Sequence, residues 1–398
     1  VKSSPAPLEE LLDLRTLSGA PYAVYRRLRD EAPVLWSDSQ NAWLVSRYAD
    51  VKVVLEDPDR FSSAGRQKRS ETSDAVWEAF AGFTGFFWSD PPQYTLDREA
   101  WSRAFKPRLK GIPALVQGIV DELLDRVEPG SAVDAVSALA FPLPATVVFD
   151  LLGVPREDRD MFREVSAVLI GGGEEIVAAI EESAEWLRSF LEERQREPGD
   201  DMLSDLTAEM PPVDTLSDRE LRVHIVNIVQ FLLAGHETTT STIASGLFRL
   251  LLHPEERRLF LAERGARSPA VEEMLRFESP LQFVERRTVA PTTLGGAGLA
   301  ADETVKLLLG SANHDERVFR DPDAFDIRRS PNPHVAFGYG LHLCLGAPLA
   351  RIEIPIAIET MLRRFPDARL ACEPGDVDWR QNFMFHAIEE LPVATSGC

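Results

Sequence analysis

Cysteine is scarce in this chain. The three among 398 residues, Cys344, Cys372 and Cys398, are too few and too widely spaced for a disulfide framework, which points to a reducing compartment. Positive charge is also short. Against 64 acidic side chains stand 43 basic ones, a formal net charge of -21. Such a chain repels phosphate backbones and anionic bilayers, so neither nucleic-acid binding nor general membrane-surface binding is expected. No uninterrupted apolar run is long enough to span a bilayer, the best candidate being broken at Gly235, His236 and Glu237. Residues 1–14 mix prolines and acids with leucines and have neither the basic flank nor the apolar stretch of a signal or anchor. A cytoplasmic location is therefore expected. With no internal repeat, low-complexity tract or clear linker, a single domain over residues 1–398 is expected as well.

What is present describes an ordinary globular protein, with 44% hydrophobic and 27% charged residues interleaved along the chain. Apolar residues at helical spacing predict helices over 22–32, 48–55, 114–127, 141–152, 158–169, 174–196, 225–252 and 347–365. Strands are expected at 34–36 and 42–45 as a hairpin, and later at 288–294, at Leu299 and at 305–309. Residues 61–88, with serines, glycines and aromatics in no sustained period, predict a long functional loop. Residues 198–216 predict a surface connection. Ser217 and Glu220 form a capping-box signature ahead of the long helix. The fold class is thus mainly α with a minor β region.

The most informative segment is Phe337-Gly-Tyr-Gly-Leu-His-Leu-Cys-Leu-Gly346. Its three glycines let backbone approach a planar ligand, and the helical pattern that follows would place Cys344 at a helix N-terminus. There the dipole favours a thiolate, the form a strong iron ligand requires. A lone cysteine is more often an inert core residue. Zinc is a poor alternative, because no second Cys or His pair accompanies His342 and Cys344. A second segment, Ala234-Gly-His-Glu-Thr-Thr239, sits inside an apolar helical run. Burying Glu237 and Thr238 there is costly unless they are paired, which suits either water ordering and proton delivery or a local hydrogen bond with a helix bend. His236 and Glu237 do not begin a zinc protease motif, since Thr240 stands where its second histidine is required. In Glu273-Met-Leu-Arg276 the spacing puts acid and guanidinium on one helix face, worth about 0.3–0.5 kcal/mol if exposed.

With these residues the chain resembles the cytochrome P450 family, in its soluble bacterial class, over roughly residues 22–393. Every fixed position of the family's cysteine loop, F-G-x-G-x-H-x-C-x-G, is met from Phe337 to Gly346. The resemblance implies the P450 fold, with haem b (iron protoporphyrin IX) between a long central helix and the helix after the cysteine loop. It implies Cys344 as the metal ligand, and Phe337, Gly338, Gly346 and Ala234 as residues against the cofactor. Glu237 and Thr238 become the proton-delivering acid and alcohol, and Glu273 with Arg276 a buried structural pair. Arg98, which follows Asp90-Pro-Pro, together with Arg286 and His342, would meet the haem propionates. Arg287 follows Arg286 directly, and of the two Arg286 is favoured. Tyr94 stands where many relatives carry histidine; its hydroxyl either reaches a propionate or its ring packs under the loop.

By the same resemblance, the substrate would be lined by Phe83, Phe86, Phe87, Gln230, Leu233, Ala234, Gln282, Phe283, Val284, Met384 and Phe385. Such groups suit a small apolar or aromatic molecule. Arg66, Lys68 and Arg69 are candidates for a substrate carboxylate or a carrier-protein phosphate. The implied activity is a haem-thiolate monooxygenase that inserts one oxygen atom from O2, with hydroxylation as the default outcome, in bacterial secondary metabolism or catabolism. A peroxide-driven haem enzyme and a non-catalytic haem sensor are the alternatives, and neither needs the Glu237–Thr238 pair. The residues after the cysteine loop leave no room for a flavin or nicotinamide module. Ferredoxin and ferredoxin reductase are therefore the expected electron donors, steered by Arg98, Arg103, Lys106, Arg108 and Lys110, and a monomer is expected.

Overall fold

The computed structural model describes residues 8–12, 17, 21–64, 85–160, 175–380 and 382–395. The chain divides into two compact units, one comprising Val1–Phe61, Ile112–Pro144 and Glu237–Cys398, the other Ser62–Gly111 and Ala145–His236.

In the first unit, Val34–Ser37 and Ala42–Val45 form the expected hairpin. Trp36 faces Trp43 across it with ring centroids 5.7 Å apart, and Asn41 turns the chain at a φ of 44°, a left-handed conformation that asparagine tolerates. Ala42–Val45 then pairs parallel with Thr304–Leu308, which pairs antiparallel with Phe283–Thr288. Alternation along these strands sends side chains to two cores. Val45, Val305 and Leu307 join Val51, Val54 and Phe61; Leu44, Phe283 and Leu308 join Tyr25 and Leu28. The expected continuous strand at 288–294 is split, because one strand ends at Thr288 and the next is Thr292–Leu294. Pro291 lies in the gap and has no N–H to give a ladder.

The long helix runs from Asp218 to Leu252, about 52 Å at 1.5 Å per residue. Its capping box forms as the sequence indicates: Ser217 N donates to Glu220 Oε2 at 2.9 Å, and Glu220 N to Ser217 Oγ at 3.4 Å. The portion from Glu237 onward belongs to the first unit. There Gly246 permits close helix crossing, since a Cβ would stand 2.6 Å from Met274 Sδ and 3.1 Å from Ile358 Cδ1. Those two residues belong to the helices Arg267–Phe277 and Ala347–Arg364.

The second unit holds the helices Gln93–Phe105, Glu175–Arg196 and Met202–Ala208, and the central helix as far as His236. Its core is aromatic, with Phe86 stacked on Trp101 at 6.0 Å and Trp101 on Phe231 at 4.9 Å. Residues 198–216 are more than the surface connection expected, because Met202–Ala208 is helical. Asp201 caps it by accepting from Ser204 N at 2.7 Å and also pairs with Arg194 at 3.0 Å. The N-cap preference of aspartate is the physical reason. Most of the helix expected over 158–169, the greater part of the loop 61–88, and with it Arg66, Lys68, Arg69 and Phe83, lie outside the described residues. Among the described residues no helix is long and apolar enough to cross a membrane.

Candidate active site

The cysteine loop is closed by its own backbone. Gly338 N donates to Val335 O at 2.8 Å, Leu343 N to Gly340 O at 3.2 Å, and Cys344 N to Phe337 O at 2.9 Å. Gly338 and Gly340 take φ of 72° and 68°, where only glycine is at ease. A Cβ on Gly340 would also lie 2.7 Å from Leu55 O. The turn delivers Cys344 three residues ahead of the helix Ala347–Arg364. Cys344 is exposed, and Leu341 and Leu343 are among the exposed large apolar side chains. An exposed thiol beside exposed leucines fits a flat apolar group laid over the loop, whose metal the sulfur would hold.

Behind the loop, Arg351 donates to both oxygens of Glu272 at 2.7 and 2.8 Å and its guanidinium lies 4.6 Å over the Phe337 ring. The hydrogen bond to Glu272 keeps Arg351 firmly cationic, and the charge of Cys344 adds to that. Burial pushes the Glu272 carboxyl up, but hydrogen bonds from Arg351 and His334 win and hold it at about 2. A fixed cation close to the sulfur favours the thiolate.

The expected acid and alcohol are neighbours in sequence but point differently. Glu237 is 2% exposed and meets Arg380 Nη1 at 2.7 Å, whereas Thr238 is half-buried and its backbone carbonyl accepts from Thr242 Oγ1 at 2.8 Å. Ala234, one turn earlier than Thr238 on the same helix, is exposed. Arg286 and Arg287 alternate faces of their strand; Arg286 Nη1 donates to Glu285 O at 2.8 Å, and Arg287 is paired with Asp302. In the second unit, Tyr94 is buried and Arg98 Nη1 donates to its hydroxyl at 3.4 Å, one helical turn apart.

Glu273 and Arg276 are fully buried, so the weak surface value for this spacing does not apply. Arg276 grips Glu273 through Nε and Nη2 at 2.7 and 2.8 Å, and its Nη1 donates to Asn313 O and Pro322 O at 2.9 Å. Glu273 also accepts from Arg329 at 3.0 Å and Asn332 at 3.2 Å.

Several residues expected to line substrate lie in the protein core instead. Gln282 donates to Ser279 O at 2.7 Å and accepts from Tyr25 OH at 2.9 Å, so both ends of its amide are engaged by protein. Phe283 is packed with Tyr25, Leu28 and Phe383, Val284 packs against the opposite core, and Phe86 is stacked in the aromatic core of the second unit. The contacts that bury these residues come from distant segments, so alternation could not single out a ligand-facing side. Phe87, Leu233, Met384 and Phe385 remain half-exposed. Gln230 is distinct: it is 8% exposed and both its amide atoms lack a hydrogen-bond partner. Sequence reasoning missed Arg380, and it missed the network in which Glu278 accepts from His386 at 2.9 Å, Tyr22 at 2.8 Å and Arg249. Their separations along the chain carry no local signal.

Fold and loop together define a haem-thiolate protein. The profile of the cytochrome P450 family matches residues 136–259 and 268–379. The chain is 41% identical over 381 residues to nocardicin C N-oxygenase of Nocardia uniformis subsp. tsuyamanensis, covering 93% of this chain and 94% of that protein. Among solved structures, the cytochrome P450 PksS of the Bacillus subtilis 168 bacillaene polyketide synthase superposes with a TM-score of 0.86 at 31% identity, covering 99% of this chain and all of that one. P450BioI, in complex with an acyl carrier protein bearing hexadec-9Z-enoic acid, superposes with a TM-score of 0.86 at 32% identity over 96% of this chain and 99% of that one. The chain belongs to the cytochrome P450 family and is a P450 monooxygenase.

Proposed function

We propose that the protein oxidises a largely apolar secondary metabolite, with Cys344 as the thiolate that would hold the iron of haem b. The observation that carries this reading is the closed glycine loop that presents an exposed Cys344 beside Leu341 and Leu343. When bound, the haem supplies activation of O2 and transfer of one oxygen atom to substrate. Arg351, backed by Glu272, keeps positive charge near the sulfur, and Phe337, Gly338 and Gly346 shape the loop against the cofactor. Arg286, His342, Arg98 and Tyr94 would hold the propionates. Thr238 orders water by its hydroxyl and Glu237 supplies protons from within the helix. Ala234, lacking bulk, leaves room on that helix.

Phe87, Leu233, Met384 and Phe385 give the substrate apolar contact, and the amide of Gln230 asks for a substrate carbonyl or N–H, since an unmet buried amide is costly. Hydroxylation is the default outcome. The substrate is free or carried by an acyl carrier protein, the second form being supported by the likeness to P450BioI. Electrons come from ferredoxin and its reductase. Arg103 and Arg108 are already paired with Glu209 and Asp205, which leaves exposed Lys106 and Lys110 as the steering cations. The chain acts as one catalytic domain and as a cytoplasmic monomer.

The test is absorption spectroscopy of wild type beside Cys344→Ser, ferric and then reduced under carbon monoxide. A strongly red-shifted ferrous carbonyl band is expected in wild type and absent in the variant. An unchanged spectrum in Cys344→Ser would remove Cys344 as ligand.

A further inference from the structure

Glu237 cannot deliver protons repeatedly unless something both holds its buried charge and lets it be recharged from water. Arg380 is placed to do both. Its Nη1 donates to Glu237 Oε2 at 2.7 Å while its Nε donates to Glu389 Oε2 at 2.8 Å. The three side chains form a gradient from interior to solvent, 2% exposed at Glu237, 23% at Arg380 and 50% at Glu389. Two carboxylates share one guanidinium, so the cation can strengthen its hold on one only by loosening its hold on the other.

The backbone that carries Arg380 is fixed. Arg380 N donates to Ala387 O at 2.9 Å, which closes the turn between the strands Asp378–Trp379 and Ile388–Glu390. One helical turn beyond Glu237, Ser241 Oγ donates to His386 O at 2.5 Å. The His386 ring stacks on Trp379 at 4.1 Å and bonds Glu278 at 2.9 Å. The hairpin is therefore tied to the central helix through Ser241, and the Arg380 side chain reaches Glu237 from that held backbone.

We infer that Arg380 is a positioning residue for Glu237, which it hands over to solvent by shifting its grip toward Glu389. The inference rests on the reading of Glu237 as the proton-delivering acid. With Arg380 on Glu237, the carboxylate is held charged and aimed. With Arg380 drawn to Glu389, Glu237 takes a proton from water at one oxygen and then passes that proton to the substrate side, leaving the carboxylate as it began. Arg380 keeps all its protons throughout, since a guanidinium does not titrate in this range. Burial works against its charge, while Glu389 and Glu237 hold it cationic. The turn that closes on Arg380 also carries Met384 and Phe385, whose amides both donate to Asn382 Oδ1 at 2.8 and 3.1 Å. Substrate contact and control of the acid thus share one hairpin.

The experiment compares wild type, Glu237→Gln, Arg380→Gln, Arg380→Lys, Glu389→Gln and the double variant Glu237→Gln/Arg380→Gln as holoenzymes with saturating substrate. Three quantities are read: the ratio of hydrogen peroxide released to product formed, the solvent hydrogen-isotope effect on turnover, and the urea midpoint of unfolding. Glu237→Gln is expected to lose turnover on the order of 10²-fold, the scale of a general acid. Arg380→Gln is expected to raise the peroxide ratio several-fold and lower the urea midpoint, with much of that midpoint restored in the double variant, where no buried charge is stranded. Arg380→Lys should recover part of the coupling. Glu389→Gln should leave the midpoint near wild type yet enlarge the isotope effect, because Arg380 then stays on Glu237. If Arg380→Gln does not fold, Arg380→Lys and Glu389→Gln carry the test. Wild-type coupling and isotope effects in the Arg380 and Glu389 variants, beside a defective Glu237→Gln, would overturn the handover and leave Glu237 as the acid. A Glu237→Gln enzyme equal to wild type would instead remove the acid itself.

Discussion

Two buried acid–arginine pairs in the first unit teach opposite lessons. Glu273–Arg276 is sealed, with both residues 0% exposed and each tied to further partners from the segment 313–332. In Glu237–Arg380 the arginine is 23% exposed and also reaches a half-exposed acid, Glu389. The sealed pair has its desolvation offset by many hydrogen bonds and becomes a rigid joint. The open pair runs from the interior to solvent through its shared guanidinium. Access to water through the arginine, more than burial of the acid alone, separates the two.

The contrast can be broken at its strongest point first. Arg276→Ala strands Glu273 as an unpaired buried charge and should cost about 3–5 kcal/mol of stability, read from urea unfolding of the purified protein. Acid titration sharpens it next, through a pair of intermediate kind. Burial pushes the Glu278 carboxyl up, but His386 and Arg249 overcome this and hold it at about 2. Its native value lies below the ordinary carboxylate range, so the stability it contributes is present above about pH 4.3 and is lost as pH falls toward 2, on the order of 3 kcal/mol in all. Burial, helped by the Arg276 charge, likewise holds His314 down at about 3. Its unfolded form takes up a proton near pH 6.5, so it too costs stability as pH falls from about 6.5 toward 3. Glu278→Gln should flatten the lower part of the stability profile measured between pH 7 and 3.

The smallest effect is expected at another buried acid. Glu353 is fully buried, neither carboxyl oxygen has a hydrogen-bond partner among the described residues, and burial pushes its pKa well above the usual range. Burial thus favours its neutral form, and the neutral isostere in Glu353→Gln should change stability by less than about 1 kcal/mol. A loss as large as that of Arg276→Ala would show that Glu353 is charged.

What the sequence made legible follows the range of the interactions. The cysteine loop was readable because its glycines, its cysteine and the helix after it act within ten residues of one another. The capping box at Ser217 and Glu220 was readable for the same reason. The Glu273–Arg276 spacing was visible but its burial was not, since burial depends on Asn313, Pro322 and Arg329 arriving from elsewhere. Arg380 lies 143 residues from the acid it holds, and nothing near it in sequence marks it. The burial of Gln282 and Phe283 was not visible either, since it depends on Ser279, Tyr25 and Phe383 arriving around them.

The hairpin from Asp378 to Glu390 has a practical reach for anyone redirecting this enzyme. Asn382, Phe383 and His386 are held by bonds or packing, Met384 packs against the same core as Phe383 and accepts at its carbonyl from Gln282 N at 2.8 Å, and Phe385 is tied by its backbone bridge to Leu281. The Phe385 side chain can therefore be exchanged without dismantling the turn. A mutant library confined to that position tests the proposed substrate contact while sparing the ion pair of Arg380 with Glu237.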